Sequence, residues 1–201
     1  MASLPVSVVL ALAAAHAPKV APETVVAFAK YESALDPLAI HDNAADKTFN
    51  PGSLNCAIRL ANELLKNGHP LDIGLMQIAV PQNLARFHLT VSSAFDPVKS
   101  IEAGAHVMVE AYQRCVKTLR GESALKCMAS FYNTGSPVNG IANGYQARVW
   151  HIADYLVPAI RDARQLHLPL PDAPPPPIED GDFHDAVAVH TPRSPELKDH
   201  D

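Results

Sequence analysis

The sequence predicts a mainly α domain followed by a polar extension at the C-terminal end. Three observations carry that prediction. Apolar residues recur at helical spacing in most segments, strand-like alternation is scarce, and Pro, Asp and Glu gather after residue 168. Residues 169–201 hold eight of the 18 prolines and eight of the 21 acidic residues, against two basic ones, Arg193 and Lys198. Residues 1–168 are almost neutral, with 14 basic and 13 acidic side chains, and are long enough for a full hydrophobic core. The extension 169–201 is too polar and proline-rich to bury a core, so it is expected to be disordered or polyproline. No basic stripe with interleaved aromatics runs along the chain, which argues against nucleic acid as a partner.

Taken in order, the first element is ambiguous. Leu4 to Ala17 is apolar and ends in Ala15-His16-Ala17, which resembles a small-x-small cleavage site. No Lys or Arg precedes it, and the run is too short to span a bilayer. Residues 1–17 are therefore either the first helix or a signal peptide. Pro22 suits the first turn of a second helix, Glu23 faces its favourable dipole end, and Val25, Phe28 and Ala29 share one face. Pro37 disfavours helical geometry at Asp36, so this helix should end near Leu35. Glu32 then sits in a last, mostly apolar turn, where dipole and neighbours both disfavour its ionised form. A general acid for neutral pH fits there, although an exposed Glu at a helix end is the commoner meaning of those residues alone.

Ala39 to Pro51 is polar and turn-rich and reads as a loop. Ser53 can cap a helix carrying Ala57, Leu60, Leu64 and Leu65. The segment LDIGLMQIAV follows, apolar but containing Gly74 and Gln77, an unusual interruption for pure core. Pro81 to His88 suggests a helical turn. Asp96-Pro97 opens a helix through Ile101, Met108 and Tyr112, and Ala124 to Tyr132 forms another, halted by Asn133-Thr134-Gly135-Ser136-Pro137. A last helix runs from Tyr145 to about Leu166, with Pro158 expected to kink it. Of the three cysteines, Cys115 and Cys127 bracket a stretch whose Gly121-Glu122-Ser123 reads as a turn. A bridge between them would pin a helical hairpin and imply an oxidising compartment, leaving Cys56 as a small buried residue. Three reduced cysteines are the alternative. The ten histidines include no pair at i, i+3 or i+4 and no Cys/His cluster, so neither a metal nor another cofactor is expected.

Four pieces fall in a telling order: Glu32-Ser33 closing a helix, Gly74-Leu75-Met76-Gln77-Ile78, Tyr132-Asn133-Thr134-Gly135, and Tyr145 opening a late helix. Together, over residues 4–160, they resemble the lysozyme-like domain of soluble-type lytic transglycosylases, and the run GHPLDIGLMQI resembles the VirB1-like members associated with type IV secretion. The resemblance implies a lysozyme-like helical domain with a two-lobed substrate cleft in residues 1–168. It also implies cleavage of the β-1,4 bond between N-acetylmuramic acid and N-acetylglucosamine in peptidoglycan, in the periplasm. In such enzymes the muramyl C6 hydroxyl attacks C1, leaving a 1,6-anhydro end, so one carboxylate suffices. By the same resemblance Glu32 is catalytic and the substrate site holds six more residues: Ser33 orients the Glu32 carboxylate or polarises the sugar, Met76, Gln77, Tyr132 and Asn133 contact the sugar, and Tyr145 places its hydroxyl near Glu32 to hold it protonated or oriented. The implied partners are peptidoglycan strands and type IV secretion components, with the extension 169–201 as the candidate contact for the latter. Two positions depart from the pattern: Ala34 stands where many relatives have Gly, and Thr134 where Ala is common. Asp36, Asp42, Asp46 and Asp72 read as turn and cap residues. If one of them faced Glu32, hydrolysis by water, as in a muramidase, would become possible. A wall-binding assembly factor is the non-enzymatic alternative.

Overall fold

A computed structural model describes residues 3–166 and Leu170. Apart from Leu170, the expected extension therefore lies outside the described residues. Helix α1 (Val6–His16) places Val6, Val9, Leu10 and Ala13 in the core. Helix α2 (Pro22–Ser33) lies against it and buries Val25, Val26, Ala27, Phe28 and Ala29. It stops two residues short of the expected end. Ala34 and Leu35 both take left-handed backbone angles, with φ 53° and 65°. Such geometry costs a non-glycine residue about 1–2 kcal/mol. Leu35 offsets it by being buried, by donating its N–H to the Ala29 carbonyl at 3.3 Å, and by accepting from the Leu4 N–H at 2.9 Å.

The stretch read as a loop, 39–51, instead supplies two strands. β1 (Ile40–Asp42), β2 (Lys47–Phe49), β3 (Leu71–Ile73) and β4 (Ile78–Val80) form an antiparallel sheet in the order β2-β1-β3-β4. Each strand has only three residues, too few for alternation to show in the sequence. The middle residues Thr48, His41, Asp72 and Ala79 lie opposite one another in a row across all four strands. Their neighbours Ile40, Leu71, Ile73 and Val80 face the other way and pack with Ala57 and Ala61 of α3 (Leu54–Lys66) and with Phe95. The sheet lobe thus keeps its own core.

Ser53 caps α3 as expected, its Oγ accepting from the Cys56 N–H. After the short α4 (Gln82–Arg86) and α5 (Val91–Ala94), α6 (Pro97–Cys115) begins where expected. The Asp96 carboxylate accepts from the Val98 and Lys99 N–H groups. Helix α7 (Gly121–Thr134) starts earlier than the sequence suggested, so Gly121-Glu122-Ser123 is its first turn rather than a linker. The chain reverses before it, and Cys115–Cys127 bridges α6 to α7 with 5.9 Å between Cα atoms. Cys56 is exposed, not buried as expected, because it lies in the first turn of α3 and makes no part of that helix's buried face. A short α8 (Asn139–Ala142) leads into α9 (Tyr145–Leu166), which continues past Pro158 and packs along α2. Among the described residues no helix is long and apolar enough to cross a membrane.

Candidate active site

A cleft of about 400 Å³ separates the helical part from the sheet. Tyr31, Glu32, Val107, Tyr132 and Asn133 line it from the helices, and His41, Asn43, Thr48, Asp72 and Ala79 from the sheet lobe. Glu32 enters the cleft from the last turn of α2, half-buried. Its Oε1 accepts a short hydrogen bond from the hydroxyl of Tyr145, the first residue of α9. The Glu32 carboxyl is raised from 4.5 to about 8, and burial is the largest cause. The Tyr145 hydrogen bond pulls it down, and the negative charge of Asp72 pushes it up again. At neutral pH the group is therefore protonated, and with Oε1 engaged by Tyr145 the proton resides on Oε2. Burial, followed by the charge of Glu32, also holds the Tyr132 and Tyr145 hydroxyls well above their ordinary range. Both remain hydrogen-bond donors.

The backbone beneath Glu32 is fixed by the segment between β3 and β4. Ser33 Oγ donates to the Leu75 carbonyl at 2.8 Å, and Tyr132 donates to the Met76 carbonyl at 2.7 Å. Gly74 is required here: it takes φ +80°, and a Cβ on it would run into the Ala94 carbonyl. Two expectations are corrected by these contacts. Ser33 is buried and spends its proton on main-chain carbonyls, so it holds α2 to the neighbouring segment rather than meeting sugar or carboxylate. Met76 is not a cleft wall. Its side chain is fully buried against Gly104, where an added Cβ would stand 2.9 Å from the Met76 Cβ. Only its carbonyl reaches the site.

Gln77 does line the cleft, at φ 47°. Its Nε2 donates to the carbonyls of Gly74 and Ala39, at 2.9 and 3.3 Å, which leaves Oε1 as an acceptor toward a ligand N–H. Asn133, at the end of α7, lines the opposite wall and accepts from Asn143 Nδ2 at 3.0 Å. Tyr145 is buried and its hydroxyl meets Glu32, as expected, so it acts on the acid rather than on the sugar directly.

The sequence missed Asp72. It was read as a turn residue, yet it sits in the middle of β3 and faces the cleft that holds Glu32. Burial raises its carboxyl, opposed by the Asn43 amide, which donates at 3.0 Å, and by the charge of His41. Asp36 and Asp42 do serve turns, accepting from the Leu38 N–H and from the Ala44 and Ala45 N–H groups. The signal for Asp72 was the row pairing it with His41, which only the strand register reveals.

A half-buried acid under a tyrosine, opposed by a second carboxylate in a two-sided cleft, is a glycosidase-like arrangement. The transglycosylase SLT domain model matches residues 10–148, which span Glu32, Gln77, Tyr132, Asn133 and Tyr145. The chain belongs to that family. This SLT domain is similar to "Protein virB1" of Rhizobium radiobacter, 38% identical over 149 residues, 74% of this chain and 62% of the relative. It is also similar to "Protein virB1" of Agrobacterium fabrum, 36% identical over 144 residues, 72% of this chain and 58% of the relative. "Type IV secretion system protein virB1" of Brucella abortus is 32% identical over 133 residues, 65% of this chain and 56% of the relative. The SLT chain thus spans about three fifths of the length of the curated relatives it matches. No solved structure matches it.

Proposed function

We propose that this chain is a peptidoglycan lytic transglycosylase that opens the cell wall locally for a type IV secretion apparatus. The observation that carries the reading is Glu32 lining the cleft with its carboxyl bonded to the Tyr145 hydroxyl, where burial favours the protonated form. Glu32 Oε2 gives its proton to the glycosidic oxygen as the bond from C1 of N-acetylmuramic acid breaks. The muramyl C6 hydroxyl then closes on C1, and the Glu32 carboxylate takes its proton, restoring the acid. The products are a free 4-hydroxyl on N-acetylglucosamine and a 1,6-anhydro end. Because the nucleophile belongs to the substrate, its effective concentration is high without a group to hold water. Gln77 Oε1 suits an N-acetyl N–H, and Asn133 the opposite edge of the sugar. The substrate lies outside the inner membrane, which calls for export. A Cys115–Cys127 bridge fits the oxidising compartment this requires. The name of the Brucella relative, a type IV secretion system protein, supports the secretion setting.

Asp72 favours a second reading, hydrolysis. A carboxylate across the cleft from the acid is what a glycosidase uses to activate water or to stabilise the cationic transition state. Mass spectrometry of muropeptides released from purified sacculi separates the two. Anhydro-muropeptides from wild type and none from Glu32→Gln are expected. Reducing-end products that depend on Glu32 would make the chain a muramidase. No release by the wild type would remove catalysis and leave a wall-binding role in secretion assembly.

A further inference from the structure

Tyr31 and Asn133 line the cleft, and Tyr145 holds Glu32; all three are tied together by Arg148 and Asn143, which do not line it. Arg148 donates from Nε to the Tyr31 phenol oxygen at 2.7 Å and from Nη1 to the Asn143 carbonyl at 3.1 Å. Asn143 then uses both ends of its amide. Its Oδ1 accepts from the Tyr145 N–H at 2.9 Å, and its Nδ2 donates to Asn133 Oδ1 at 3.0 Å. The Tyr31 ring stands edge-on to Tyr145, with centroids 5.0 Å apart and planes at 89°. The Arg148 guanidinium lies 5.7 Å from its centroid.

Tyr31 is thus an aromatic ring fixed before any ligand arrives. Its phenol oxygen is already engaged by Arg148, so what it chiefly offers the cleft is ring surface. One face of a pyranose carries a patch of C–H groups, and rigid aromatic surface gathers such a patch at little entropic cost. We propose that Tyr31 is a saccharide platform, packing against the C–H face of the pyranose bound beside Glu32, with Arg148 and Asn143 as positioning residues behind it. The inference rests on reading the cleft as a glycan site.

The test is calorimetric titration of the full chain with a β-1,4-linked N-acetylglucosamine tetramer, alongside kinetics on soluble glycan strands. Tyr31→Leu should weaken binding about tenfold and raise KM similarly, with kcat and the pH profile of the reaction unmoved. Tyr31→Phe keeps the ring and should stay within about threefold of wild type. If Tyr31→Leu does not fold, judged by its unfolding midpoint, Tyr31→Met takes its place with the same expectation. Wild-type affinity in the ring-deleted variant overturns the platform, whether or not the wild type cleaves sacculi. A fall in kcat with a displaced pH profile and unchanged affinity also overturns it, because Tyr31 would then act through Tyr145 on the acid. A wild type that binds the tetramer through Tyr31 but releases no muropeptides leaves the platform standing and removes the catalytic reading. Binding of neither tetramer nor sacculi removes both.

Discussion

Glu32 is held between influences that can be removed one at a time. Tyr145 favours its carboxylate through a hydrogen bond, and Asp72 disfavours it by charge. Asp72 faces Glu32 as a like charge in the same cleft, its own carboxyl raised by burial and opposed by the Asn43 hydrogen bond and the charge of His41. A general acid works in its protonated form, so the alkaline limb of activity should follow the Glu32 pKa of about 8. Tyr145→Phe removes the influence that lowers that pKa and should move the limb to higher pH. Its kcat should fall by up to about 100-fold as the carboxyl loses its anchor. Asp72→Asn removes an influence that raises the pKa and should move the limb to lower pH. Limbs displaced in the same direction in pH–rate profiles of the two variants would defeat this account. Two residues on, Ala34 makes a separate prediction. It is exposed at φ 53°, a geometry that glycine adopts without strain. Ala34→Gly should stabilise by about 0.5–1 kcal/mol, net of glycine's greater freedom when unfolded, and raise the melting midpoint by about 1–4 °C with activity unchanged.

Among the elements, helices were legible and strands were not. α2, α6 and α9 announce themselves through apolar periodicity, a proline at the first position of α2 and α6, and the Asp96 cap. The four strands have three residues each, and the row from Thr48 to Ala79 exists only once they pair. The candidate site divides along the same line. Glu32, Gln77, Tyr132, Asn133 and Tyr145 were readable because motif neighbours mark them. Motif adjacency carries no side-chain direction, however, so Ser33 and Met76 were given to the cleft when their side chains point inward. The Cys115–Cys127 bridge belongs to the α6–α7 hairpin and packs with Ala124 in a small cluster outside the cleft lining. Closing a loop with a sequence separation of 12 should contribute about 3 kcal/mol. Cys115→Ala with Cys127→Ala should therefore lower the thermal midpoint by about 6–12 °C, seen by calorimetry. Muropeptide release at 25 °C should stay at the wild-type rate; lost release in a still-folded variant would mean the hairpin shapes the cleft.

At the scale of the whole molecule, two hydrophobic cores flank one cleft, and a single segment serves both. Leu71, Ile73 and Val80 belong to the sheet core, while Leu75, Met76 and Ile78 belong to the helical one. Between them, Asp72 and Gln77 face the cleft, and the carbonyls of Leu75 and Met76 hold Ser33 and Tyr132. Residues 71–80 are therefore a seam with no slack: an inserted residue there would strike both cores and the carboxylate opposite Glu32 together. The β1–β2 hairpin borders the same groove through Asn43 and Thr48 without serving both cores. Length can change at the exposed residues 43–46 at small cost, so that rim is where the reach of the groove along a polymer is open to adjustment while its chemistry stays fixed.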